Sequence, residues 1–270
     1  MIVKKIYPRL LKEELAYIYV FQDDGKTPFE NHKHLPDGTF DLMIHYGEPL
    51  RQKTESNQYK VLPNIRVAGG HNHSFPISYP GHFTIFAVVF KPAHASYFMP
   101  GLKDIAVDKN VRAEDIFGQE ILNLAEHISG FSCFEDAALA IESFLIQKRV
   151  APNNFYTPQI DYAVQLMQNQ KMNVSNICRE IGMSERNFRR VFRNLTGFSP
   201  RKILQLKRVR ALSRILNERA APHAQLERLG YYDLSHLIHD FKAVTNLTPQ
   251  QYISNLDRID TAFHQAHRQL

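Results

Sequence analysis

Residues 173–216 read NVSNICREIGMSERNFRRVFRNLTGFSPRKILQLKRVRALSRIL. Ile177, Cys178 and Ile181 make the buried side of a short helix, Gly182 permits a tight turn, and Ser184 caps a second helix. On that second helix Phe188, Val191, Phe192 and Leu195 follow the spacing i, i+3, i+4, i+7 and point one way. At about 100° per residue, Arg186, Arg189, Arg190 and Arg193 point the other way. A face with four arginines and no acid is not explained by ion pairing within that face. It suits a groove lined with phosphates and guanine edges, which arginine reads through a two-pronged hydrogen bond. Two helices joined by a short glycine turn form a helix-turn-helix, whose second helix enters the major groove.

The plan recurs in residues 227–252, ERLGYYDLSHLIHDFKAVTNLTPQQY. Gly230 makes the turn, Asp233 is the expected N-cap, and Leu237, Phe241 and Val244 form the inward stripe. Ser235, Ile238, His239 and Lys242 face away, so this unit offers hydrogen bonds and an apolar contact in place of strong charge. Between the units, Ser199-Pro200 opens a helix of about 17 residues, roughly 26 Å long. That length suits two reading helices placed in successive major-groove segments.

Charge divides along the same line. Residues 1–150 hold 16 Lys and Arg against 18 Asp and Glu, net −2, while residues 151–270 hold 17 against 9, net +8. The basic excess points to a polyanionic partner for the second half alone. In a chain of 270 residues, 44% hydrophobic and 22% charged, composition excludes fibrous, low-complexity and largely disordered classes. Cys133 and Cys178 are too few for a disulfide framework or a four-cysteine zinc site, which favours a reducing cytoplasm. The start of the chain lacks the apolar core and cleavage site of a secretory signal. The apolar run Phe83–Phe90 is too short to span a membrane.

The first half reads mainly as strands. Phe40, Leu42 and Ile44 alternate with Asp41, Met43 and His45, the period of a half-buried strand over Thr39–His45, after a Pro36-Asp37-Gly38 turn. Val61–Val67 and Phe83–Phe90 are further expected strands. Ile121, Leu124 and Ile128, then Ala138, Ile141 and Leu145, recur at helical spacing. Those helices either cover the sheet or form a dimer seam. The expected organisation is an α+β protein of two domains: a β-rich domain at 1–150 closed by helices, a linker at 151–157, an all-α domain at 158–256 and a tail at 257–270.

Residues 174–252 resemble the double helix-turn-helix domain of the AraC/XylS family of bacterial transcription regulators. The resemblance rests on Gly182, Met183, Ser184, Phe188, Arg190, Phe192, Thr196, Gly197, Arg208 and Ala211. It continues in Gly230, Tyr231, Asp233, Ser235, Phe241, Lys242, Thr248 and Pro249. Gln225, Leu226, His239 and Asn246 depart from the family pattern. More weakly, His34–Leu42 and Phe90-Lys91-Pro92 resemble the cupin-like sensor region that precedes this domain in some members. The resemblance implies a homeodomain-like fold for the second half and base reading by Arg186, Arg189 and Arg190 in the first unit, with Asn187 and Arg193 beside them. In the second unit it implies Leu234, Ser235, Ile238 and His239. Lys207 and Arg208 are expected on phosphates. Implied partners are double-stranded promoter DNA, a small-molecule effector, RNA polymerase and a second copy of the chain, with no membrane and no cofactor.

An enzyme is the competing reading. His32-x-His34 and His71-x-His73 place both rings of each pair on one face of a strand, as a metal-dependent cupin fused to a DNA-targeting module would need. Ordinary polar surface explains the same pairs, and no catalytic or metal residue is assigned. A DNA-repair alkyl acceptor would need an activated cysteine, and neither cysteine lies in such a motif.

Overall fold

The computed structural model describes residues 2–25, 29–33, 35–54, 56–79, 81–102, 107–150, 158–169, 171–217, 227 and 229–254. The expected linker at 151–157, the tail from 257, the Gln225-Leu226 pair, His34 and the side chain of His32 lie outside the described residues.

Among the described residues ten strands follow in chain order: β1 (Ile2–Ile6), β2 (Leu15–Asp23), β3 (Phe29–Lys33), β4 (Asp41–Gly47), β5 (Arg51–Lys53), β6 (Tyr59–Val61), β7 (Ile65–Ala68), β8 (Pro76–Tyr79), β9 (Phe83–Phe90) and β10 (Asn110–Arg112). They form a six-stranded sheet, ordered β1-β2-β9-β4-β7-β10, and a four-stranded one, β3-β8-β5-β6. The strands pair antiparallel throughout the described residues, with β9 between β2 and β4. The β-branched and aromatic run of β9 suits this central place because both of its faces are covered. Phe83, Ile85, Ala87 and Val89 meet Tyr19, Ile77 and Tyr79 in the layer between the sheets. Phe86, Val88 and Phe90 join the larger core on the opposite face.

Two expectations change here. The strand expected over Thr39–His45 as half-buried is β4, and it is covered on both sides, with Leu42 and Ile44 on the larger core and Met43 packed between the sheets. Alternation of side chains revealed the two faces but not that a second sheet covers the polar one. The run expected over 61–67 is two strands, β6 and β7, because Pro63 lacks the N–H a continuous ladder needs.

Three helices, α1 (Glu114–Phe117), α2 (Glu120–Ser129) and α3 (Phe134–Lys148), cover the outer face of the six-stranded sheet. Phe134 meets Phe86 edge-on at 6.0 Å, and the Tyr46 hydroxyl donates to the Ala125 carbonyl. Within α3, buried Glu142 accepts hydrogen bonds from the backbone N–H groups of Arg9, Leu10 and Leu11 at 3.0, 2.6 and 2.8 Å. Its carboxylate thereby ties the start of the chain to the helical cover, and such charge-assisted bonds are the strong ones.

The remaining helices are α4 (Pro158–Leu166), α5 (Val174–Glu180), α6 (Glu185–Thr196), α7 (Pro200–Asn217), α8 (Leu234–Thr245) and α9 (Pro249–Ser254). From their caps onward the two units stand in register, each position of the second 49 residues beyond its counterpart, as Asp233 is beyond Ser184. The turn glycines Gly182 and Gly230 are 48 apart, and the helix expected before Gly230 lies outside the described residues. Ser184 and Asp233 cap α6 and α8 by accepting from the N–H three residues on. At the other ends, the Thr196 and Thr245 hydroxyls donate to the carbonyls of Phe192 and Phe241 at 2.8 and 2.7 Å. The same oxygens accept from the N–H groups of Phe198 and Leu247 at 3.2 and 3.1 Å. Gly197 and Asn246 then turn the chain in the left-handed conformation, with φ of 75° and 59°. Asn tolerates that region where most residues do not. No helix among the described residues is long and apolar enough to cross a membrane.

The helical and β-rich parts share one apolar core. Phe198, just past α6, lies 5.9 Å from the Phe40 ring and against Gly70, where a Cβ would come within 2.3 Å of it. Ile203 of α7 likewise fills the space beside Gly38. Polar bonds cross the same seam. Arg210 of α7 pairs with Asp37 at 2.6 Å, and Ser74 donates from its N–H to the Val244 carbonyl and from its hydroxyl to the Thr245 carbonyl.

Between the two sheets lies a cavity of about 860 Å³, solvent at its mouth included. Tyr17, Tyr19, Phe75 and Tyr79 supply aromatic wall, and Arg66 and Asp41 bring polar groups to it. Asp37 of the seam reaches it as well.

Candidate nucleic-acid interface

Helix α6 is amphipathic in the manner its sequence requires. Phe188 and Phe192 are fully buried and Leu195 nearly so, while Arg186, Asn187, Arg189, Arg190 and Arg193 are exposed. Burial of this stripe fixes the rotation of the helix about its axis, and the rotation sets which side chains can meet a duplex. Val191 is only partly buried, at the edge of the stripe.

The arginine face is not free of acid. Glu185 lies one turn before Arg189 and pairs with it at 2.5 Å, with both side chains solvated. A helical i, i+4 pair of this kind contributes only about 0.3–0.5 kcal/mol, so it does not prevent Arg189 from turning to a phosphate or base. The expectation of an acid-free face is corrected to that extent. Arg190 donates to the Asn187 side-chain oxygen at 2.9 Å, which holds its guanidinium over the first turn of the helix.

On α8 Ser235, His239 and Lys242 are exposed, as is Ala243, whereas Leu234 and Ile238 are partly buried against the core. Buried Asp240 accepts from Gln205 of α7 at 2.9 Å, and His236 lies 3.8 Å from its other oxygen. The structure thus brings α7 and α8 together along a groove to which Arg201, Lys202, Arg208 and His239 contribute. Arg208 also stands over the Tyr231 ring at 5.8 Å and donates to the Met172 carbonyl at 3.4 Å.

Lys207 and Arg208 are neighbours in sequence but not in role. Arg201, Leu204, Gln205 and Arg208 share one side of α7, toward the groove. Ile203, Lys207, Arg210 and Arg214 share the other, where Ile203 and Arg210 meet the β-rich part. Lys207 is half-buried there; burial lowers its pKa, while the charge of Asp37 opposes that shift. Its expected phosphate contact therefore has no support in its position. Charge counting treated all basic residues of α7 alike and could not tell the two sides apart.

Comparison with known proteins matches residues 177–255 to a family described as a helix-turn-helix domain. Ahead of that stretch, residues 8–106 match a domain of unknown function (DUF6597). No curated protein matches the chain significantly. Among solved structures, the C-terminal domain of AraT, a response regulator from Geobacillus stearothermophilus, is 20% identical over 38% of this chain and 88% of its own, with a TM-score of 0.35. ToxT from Vibrio cholerae is 9% identical over 88% of this chain and 97% of its own, with a TM-score of 0.44.

Around the expected histidine pairs, His71 packs on the Phe75 ring at 4.2 Å and lies 3.9 Å from Asp108. Among the described residues no group of three or more His, Cys, Asp or Glu side chains gathers as metal ligands would. Cys178 is buried in α5, and burial raises its thiol pKa, the environment of an inert thiol.

Proposed function

We propose that the protein is a transcription regulator that binds promoter DNA through its AraC-type domain and takes a small-molecule effector in the cavity between its sheets. One observation carries the first half of this reading: α6 is capped and anchored by buried Phe188 and Phe192 while its arginines stand in solvent. In this reading Arg186, Arg189 and Arg190 read bases, Asn187 and Arg193 support them, and Ser235, Ile238, His239 and Leu234 form the second contact. Arg208 takes a phosphate. Residues 1–150 act as a cupin-like sensor and 158–256 as the DNA-binding domain, the protein works in the cytoplasm, and it has no catalytic role.

The second half of the reading rests on the seam. Thr39 Oγ1 lies 2.6 Å from Asp37 Oδ1 and 3.3 Å from Asp41 Oδ1, and Asp37 pairs with Arg210 on α7. A polar chain thus runs from the cavity wall to the helix that joins the two reading units. An occupant that moves this wall changes how those units are held.

Selection of bound sequences from a random DNA pool by the full chain tests the assignment. Arg190→Ala is expected to weaken the selected site by about 1–3 kcal/mol and relax one base position, as loss of a two-pronged base contact does. An unchanged site preference would remove Arg190 from the reading set. Failure to enrich any sequence would reject the function.

A further inference from the structure

Arg66 is an unusual residue to find between two sheets. It is 2% exposed, in the middle of β7, and its Nε donates to Asn110 Oδ1 at 3.2 Å while Nη1 donates to the Pro63 carbonyl at 3.1 Å. Both acceptors are neutral. Among the described residues no carboxylate stands within ion-pair distance of the guanidinium, and none bonds its Nη2 group. Burial pulls its pKa down only to about 10, so it stays charged at neutral pH. A buried charge without a counter-charge is costly, and a protein retains one where an anion is to be bound.

The rest of the wall narrows the anion. Burial, with the charge of Asp37 beside it, raises the Asp41 carboxyl well above the usual range. Asp41 and Arg66 feel each other's charge but do not stand within ion-pair distance, so the guanidinium keeps room for a ligand's carboxylate. Tyr17, Tyr19, Phe75 and Tyr79 present rings, and Met43 and Val89 present apolar surface. A phosphate or sulfate would leave that surface unfilled, and a sugar would leave the guanidinium unpaired. We propose that the cavity binds a small organic acid, its carboxylate on Arg66 and its flat or aliphatic body against the tyrosine and phenylalanine wall. The proposal rests on the reading of this cavity as the effector site and names the class of effector.

The test is calorimetric titration of the purified full chain with benzoate, cinnamate and octanoate, each run beside its neutral amide, and with glucose. At least one acid is expected to bind saturably, with its amide at least ten-fold weaker and glucose silent. Arg66→Gln should weaken that acid at least ten-fold. Because loss of a buried arginine can disturb folding, Ala87→Leu serves as a second variant. It fills the cavity, leaves Arg66 in place and should abolish binding. The proposal is overturned if no acid binds, if amides bind as well as acids, or if Ala87→Leu binds undiminished. A parallel gel shift on the selected DNA separates the two readings. DNA bound with every acid silent sinks the acid and leaves the regulator, whereas acid bound with no DNA retained does the reverse.

Discussion

Replacing Asp37 by Asn removes one negative charge from the seam and keeps the side-chain oxygen that accepts from the Thr39 N–H at 3.0 Å and its hydroxyl at 2.6 Å. The turn is therefore preserved and the perturbation falls on Arg210. The pair is close, at 2.6 Å, with side chains only 18% and 16% exposed. Unit charges about 4 Å apart interact by about 4 kcal/mol at an effective dielectric of about 20. Breaking a fully buried pair costs about 3–5 kcal/mol because the remaining charge is stranded. Residual solvent contact lowers this, and the nearby Lys207 and Arg214 lose the charge that offsets them. The expected loss is about 2–3 kcal/mol. Urea unfolding followed by circular dichroism reads it as a lower midpoint at unchanged slope. A double-mutant cycle with Arg210→Met should return most of it as coupling. A loss under about 0.5 kcal/mol, or no coupling, would mean that solvent screens the pair, and the seam as described would not exist in solution.

Gly70→Ala places a methyl within 2.3 Å of the Phe198 ring and 3.1 Å of the Thr39 carbonyl, and should cost about 1–3 kcal/mol in the same urea assay. A neutral result would show that Phe198 does not seat there. Thr196→Val and Thr245→Val each strand a backbone N–H past a reading helix, and similar losses of about 1–3 kcal/mol are expected from the two repeats. A loss at one site alone would break the equivalence of the units. His45 is 2% exposed, and burial, helped by Arg66, lowers its pKa to about 4. The unfolded chain takes its proton near pH 6.5 and the folded chain does not. Stability from this group is thus complete above pH 6.5 and drains as pH falls toward 4, by about 3 kcal/mol in all. His94, also lowered to about 4 by burial, adds to the same limb. His45→Gln should flatten the acid limb of a stability–pH curve by the His45 share, and an unaltered limb would refute the assignment.

The helical half is largely legible in the amino-acid sequence because its information is local. A cap, a 3.6-residue apolar stripe, a left-handed turn and a proline start each act within one helical turn. Thus Ser184, Phe188 and Phe192, Gly197 and Pro200 mark α6 and the start of α7 correctly. The repeat at Asp233, Phe241, Asn246 and Pro249 does the same for α8 and α9. The β half is legible only in part. Period-2 alternation locates β4 and β9, but whether a face meets solvent or a second sheet depends on chain that is distant in sequence.

Residue order alone thus settles that an arginine-faced helix follows a glycine turn, that the unit occurs twice, and that strands precede it. Long-range packing decides the rest. It places Lys207 and Arg208, adjacent in the chain, on opposite sides of α7, and it pairs Arg210 with Asp37 across 173 positions. It also encloses Arg66 between sheets, where a strand pattern shows only an inward side chain. The physical reason is range. Helix periodicity and capping are written within a few residues, whereas burial of a charge, and the partner that answers it, are properties of surfaces that meet only once the chain has folded.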